Sequence, residues 1–218
     1  KDFMQNCGKK IVVHIKTACY YLLLFCQFSY AQNTSLDSLN NLLLKESNET
    51  KKLELLEEIV TISSNSDFKK AIIYARKAVK LANHSQNKKW QPKFNEMKGR
   101  IHANLLELDS ASYHFKKALN QYTLIVDKKG QATTLFKIGW VYKKRSDLEN
   151  AMKSDLMALR LMESINDKAG IADANTRISE DLYRQEKYKE ALDYALKNIA
   201  FCKKNKLNKE LVYSYSNA

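Results

Sequence analysis

Imidazoles, thiols and paired carboxylates are the groups in this sequence that could hold a metal, carry a proton or attack an electrophile. His102 and His114 have neither the paired spacing of a metal site nor cysteines nearby. In steps of 40 residues, His102 shares a column with Ile62, Tyr142 and Leu182, and His114 shares one with Tyr74 and Tyr194. Those are core residue types, so satisfied structural histidines are expected. The carboxylate pairs Glu57-Glu58 and Glu180-Asp181 are neighbours in sequence, which on a helix directs them apart rather than onto one substrate. They read as solvated helix surface. The chain has no glycine-rich phosphate loop, no nucleophile motif and no dinucleotide fingerprint. Residues 1–218 are therefore read as having no catalytic residue, no cofactor and no metal site.

The columns come from a repeat, and the repeat defines the elements. Ala71, Ala111, Ala151 and Ala191 are 40 apart; seven further on stand Ala78, Ala118, Ala158 and Asn198, followed by Val79, Leu119, Leu159 and Ile199. Phe68, Leu108, Leu148 and Tyr188 precede the first alanines by three. A fixed period of this size marks an array whose units bury their apolar faces only against one another. Ala132–Ile171 is one complete copy. The units are read as 52–91, 92–131, 132–171 and 172–211, with a fifth begun at 212–218 and broken off, as in a fragment of a longer protein. Each is an antiparallel helix pair, and the alanines let the two backbones approach closely. The links Asp127-Lys128-Lys129-Gly130 and Asp167-Lys168-Ala169-Gly170 read as helix ends relieved by glycine.

Composition agrees. Five glycines and one proline exclude a turn-rich β fold, and 37 basic against 24 acidic residues give a net charge of +13. The excess is mostly lysine spread through every unit, which reads as a solvated face rather than a nucleic-acid site. Upstream, Lys9, Lys10 and Lys16 precede the apolar run Thr17–Phe28 and then Ser29-Tyr30-Ala31. That order predicts a signal peptide over 1–31, cleaved after Ala31, and the run is too short for a membrane anchor. Cleavage removes Cys7, Cys19 and Cys26, so no internal disulfide can form, and Cys202 is read as a buried structural thiol. Residues 32–51 carry leucines at 36, 39, 42 and 43, the spacing of an amphipathic capping helix, followed by a polar linker.

Leu135, Ile138-Gly139, Tyr142, Ala151 and Ala158, with Ala111, Phe115 and Ala118 one unit earlier, resemble the tetratricopeptide repeat. The period is 40 rather than the family's 34, Asp155 stands where an aromatic is usual, and the closing proline is absent. The resemblance implies an all-α, right-handed α-solenoid of antiparallel helix pairs. It also implies a protein or peptide partner in the concave groove of the first helices. Carried over, the groove positions are Lys93, Glu96, Arg100 and Asn104; Thr133, Phe136, Trp140 and Lys143; and Asp173, Thr176, Glu180 and Tyr183. Trp140 reads equally as a partner anchor and as packing on the neighbouring unit. Arg100 and Trp140 occupy positions where the family's carboxylate clamp wants asparagine, which argues against that role. The longer period resembles the exported N-terminal sensory regions of Bacteroidetes-like signalling proteins. The expectation is thus an interaction module of a periplasmic or envelope sensor, tethered to the membrane beyond Ala218 and followed there by a histidine kinase or transcriptional regulator. The alternative is a free-standing envelope scaffold.

Overall fold

The computed structural model describes residues 36–216, which form ten helices and no strand. The segment read as a signal peptide, with its three cysteines, lies outside the described residues. The helices are α1 (36–45), α2 (Glu49–Ser66), α3 (Phe68–Ala82), α4 (Trp90–Asn104), α5 (Leu108–Leu124) and α6 (Lys128–Lys144). They continue with α7 (Leu148–Ser164), α8 (Lys168–Arg184), α9 (Tyr188–Lys204) and α10 (Asn208–Ser216).

From α5 onward the 40-residue unit is two equal halves: each helix through α9 has 17 residues. Each helix from α4 to α9 ends alike. The N–H of Asp127 reaches the carbonyl of Tyr122 at 3.0 Å and that of Val126 reaches Thr123 at 3.1 Å, the paired bonds of a Schellman turn. Equivalent bonds recur at Glu107, Asp147, Asp167, Lys187 and Leu207. The geometry needs a left-handed residue, and Leu106, Val126, Ser146, Asn166, Glu186 and Lys206 all supply one, with φ from 55° to 62°. None is glycine.

This corrects the reading of the links. Asp127 and Asp167 start helices: their carboxylates accept from Gly130 N at 2.8 Å and Gly170 N at 3.0 Å. Gly130 sits in the first turn of α6, where an added Cβ would lie 2.4 Å from Cδ1 of Tyr122. The glycine is there for close helix approach, not for a turn. Helices α6 and α8 accordingly begin four residues before the unit boundaries read from the alanine columns.

Each helix packs on its neighbours in sequence, and α2 also touches α4, as α8 touches α10. The column alanines are the contact points: Ala71, Ala78, Ala111, Ala118, Ala151 and Ala158 have no exposed surface. Around them lie Leu53, Phe94, Ile101 and Phe115, whose burial contributes ~1.5–3 kcal/mol each. Leu36 and Leu39 of α1 cover Ile59 at the N-terminal end.

Candidate partner groove

Alternate helices α4, α6, α8 and α10 line two adjoining depressions. One, of about 340 Å³, is bounded by Arg100, Asn104, Thr133, Phe136, Lys137, Trp140, Asp173 and Arg177. The other, of about 570 Å³, shares Thr133, Phe136, Asp173 and Arg177 and extends over Thr176 and Glu180 to Lys209, Glu210 and Tyr213. Between them Phe136, 5% exposed, lies under the Arg177 guanidinium, 4.6 Å from its ring centroid. Arg177 Nε in turn donates to Asp173 Oδ2 at 3.3 Å. The groove floor is therefore one aromatic ring roofed by an ion pair, held in place one helical turn apart.

Eight of the twelve groove positions carried over from the family come together here: Arg100, Asn104, Thr133, Phe136, Trp140, Asp173, Thr176 and Glu180. Four do not line it. The Lys93 ammonium pairs with Glu57 at 2.5 Å and sits over Trp90. Glu96 is occupied by Lys137 at 3.2 Å and Thr134 at 3.3 Å. Tyr183 is exposed and meets Tyr188 edge-on. Lys143 is drawn into the interior. Trp140 borders the groove and also packs against the apolar cluster that holds Ala103, Ala111 and Phe115 of the preceding unit. Lys137, Arg177 and the α10 residues were not among the positions read from sequence; Arg177 could have been found one turn from both Asp173 and Glu180.

Behind the groove lies an ionic cluster that the sequence reading missed. The Lys143 ammonium is 3.1 Å from Asp155 Oδ2, 2.7 Å from Asp181 Oδ1 and 3.8 Å from Glu180 Oε2. Asp155 and Asp181 have no exposed surface. Among the described residues, no hydrogen bond from outside the cluster reaches their four oxygens. Burial pushes the Asp155 carboxyl up to about 7, against the opposing pull of Lys143, and Asp181 contributes to the rise. Burial also raises Asp181. For Lys143, burial acts to lower its value, yet Asp155 and Asp181 together hold it above the ordinary range. Asp181 is thus no solvated surface residue. Its column contains Ile101 and Val141, and that of Asp155 contains Ala75, Phe115 and Ala195, which was the available signal.

His102 and His114 are paired with each other. Their rings stack at 5.4 Å and 7°, His102 Nδ1 is 2.6 Å from Glu107 Oε2, and His114 Nδ1 is 3.4 Å from Asn95 Oδ1. Burial, then Lys98, lowers His114 to about 4, so it is neutral near pH 7. Among the described residues no group of three or more His, Cys, Asp or Glu could hold a metal ion, and no helix is long and apolar enough to cross a membrane. Cys202 is buried, with Sγ 3.7 Å from Ser214 Oγ.

Compared with protein-family models and with curated proteins, the chain finds no match. Solved structures do resemble it. Aspartyl phosphate phosphatase F from Bacillus subtilis superposes with a TM-score of 0.74 over 86% of this chain at 18% identity; the chain spans 52% of that protein. PlcR from Bacillus thuringiensis, in complex with the peptide PapR7 and DNA, gives 0.70 at 14% identity, over 88% of this chain and 71% of that one. A signal transduction ATPase with a tetratricopeptide repeat sensor from Pyrococcus horikoshii gives 0.72 at 14%, over 86% and 30%. At such identities the likeness is one of fold. The chain is an all-α, right-handed solenoid of antiparallel helix pairs, of the tetratricopeptide-repeat kind.

Proposed function

We propose that this chain is a protein-interaction module that holds an extended peptide or a partner helix along α4, α6, α8 and α10, within an exported sensor. The observation that carries the reading is the groove: two contiguous depressions with apolar ring faces at the floor and paired charges at the walls. That composition suits a peptide, whose side chains need apolar contact while its backbone needs polar partners. A neighbour of the same fold, PlcR, was solved with a peptide bound, which favours this ligand class. Export rests on the basic, apolar and small-residue order of Lys9–Ala31, and a signalling output domain beyond Ala218 rests on the resemblance alone.

Selection of a displayed random-peptide library on the chain tests the groove. Enriched sequences should lose at least about tenfold in affinity, ~1.4 kcal/mol, on Thr133→Arg, which sets a long side chain across both depressions without entering the core. Peptides that bind Thr133→Arg undiminished would place the binding surface elsewhere.

A further inference from the structure

We propose that Lys143, Asp155 and Asp181 form a proton-operated joint between the third and fourth helix pairs, closed while the two carboxyls share a proton and loosened when that proton leaves to solvent. The three groups come from α6, α7 and α8, the helices on either side of the boundary between pairs. With Asp155 protonated, one ammonium faces one carboxylate and the cluster is neutral. With both ionised, an uncompensated negative charge stands in a site with no exposed surface and no outside donor. Parting α7 from α8 to admit water is the available relief.

The remaining charges do not supply the missing compensation. From α8, Arg177 faces Asp155 but is held by Asp173. Glu180, also from α8, adds a further negative charge near Lys143 and is itself held by Arg184. From α6, Lys143 is the charged group that faces both aspartates among the described residues, and it is already shared. Burial, against the pull of Lys143, and the neighbouring Asp181 carboxylate raise the Asp155 carboxyl to about 7. Arg177 and Glu180 also line the groove, so loosening the joint shifts two groove walls. That last consequence rests on the groove being the binding surface; the joint itself does not.

Hydrogen exchange of the α7 and α8 amides, corrected for intrinsic rates and with no ligand present, tests the joint separately. Local opening should rise about tenfold or more between pH 5.5 and 8.5 in the wild type, since each unit of pKa difference between closed and open forms is a factor of ten. In Asp155→Asn, which keeps the shape and a donor toward Asp181, the rise should vanish. An equal rise in both proteins, or none in the wild type, overturns the proposal. The wild-type carboxyl carbon titration decides it if the variant does not fold: a midpoint for Asp155 within about one unit of 7 supports the joint, and ordinary midpoints for both aspartates refute it.

Discussion

Gly139 gives the buried cluster its space. A methyl group there would lie 2.9 Å from Asp155 Oδ1 and 3.4 Å from the Ala151 carbonyl. Alanine normally improves a helix interior by ~1 kcal/mol over glycine, but overpacking costs ~1–3 kcal/mol. Urea unfolding of Gly139→Ala should therefore show a net loss, recovered when Asp155→Ala is added; a stabilised single variant would show that the contact yields freely. The same spacing places Gly99 under Phe115 one unit earlier, so the touching pair was readable from sequence. What was not readable is that Lys143 turns inward, because nothing local distinguishes it from a groove lysine. A second residue acts on pH with opposite sign. His114 titrates at about 4 when folded and near 6.5 when unfolded, so the unfolded chain binds more protons between those values. Its contribution to stability is present above pH 6.5 and lost as pH falls toward 4. Asp155, raised from 3.8 to about 7, makes the folded chain the better proton binder, and its contribution is lost as pH rises across that window. Wild-type stability should change little from pH 4 to 6.5, while His114→Asn should expose a decline with rising pH; a flat profile in that variant would remove the Asp155 contribution.

The connections between helices set the length of the unit. Six left-handed residues terminate six helices, and the chain places Leu, Val, Ser, Asn, Glu and Lys there. A left-handed conformation costs an L-residue ~1–2 kcal/mol, most for a β-branched one, whereas asparagine tolerates it. Val126 is 73% exposed and has little packing to lose. Val126→Asn should raise thermal stability by about 0.5–1 kcal/mol, read as a higher midpoint at unchanged helical content. A lower midpoint would mean that the valine side chain contributes more on the surface than its backbone costs. The absence of glycine also explains why the helix ends were misplaced in the sequence reading although the helix pairs were found. The alanine columns reveal the 40-residue period because packing dictates small residues at each helix crossing. The reversals leave no such mark, since the backbone bonds from Asp127 to Tyr122 and Val126 to Thr123 depend on no side chain. Gly130 and Gly170, the residues that look like turn signals, answer instead to Tyr122 and Met162 packed against them.

Stability in the whole array accumulates from one interface to the next. Leu53, Ala75, Phe94 and Ile101 share one apolar cluster across α2–α4, whereas Ala132, Phe136, Ala158 and Met162 belong to another centred on α6 and α7. With contacts confined to adjacent helices and the next like helix, damage in one unit has no direct route to a distant one. The alanine column made this architecture legible, but the groove depends on side chains from three or four helices at once, and a column at a time does not show which of them converge. Ala158 has no exposed surface and packs within the α6–α7 cluster. Ala158→Leu should cost ~1–3 kcal/mol by overpacking. Because the array is quasi-one-dimensional, faster hydrogen exchange should be concentrated in α6, α7 and α8, with α2 and α3 protected as before. The groove between α6 and α8 would widen with them, so peptide binding should weaken in step with local exchange rather than with the overall midpoint. Equal acceleration in α2 and α7 would show that the units unfold together, and that the interfaces couple more strongly than their separate clusters imply.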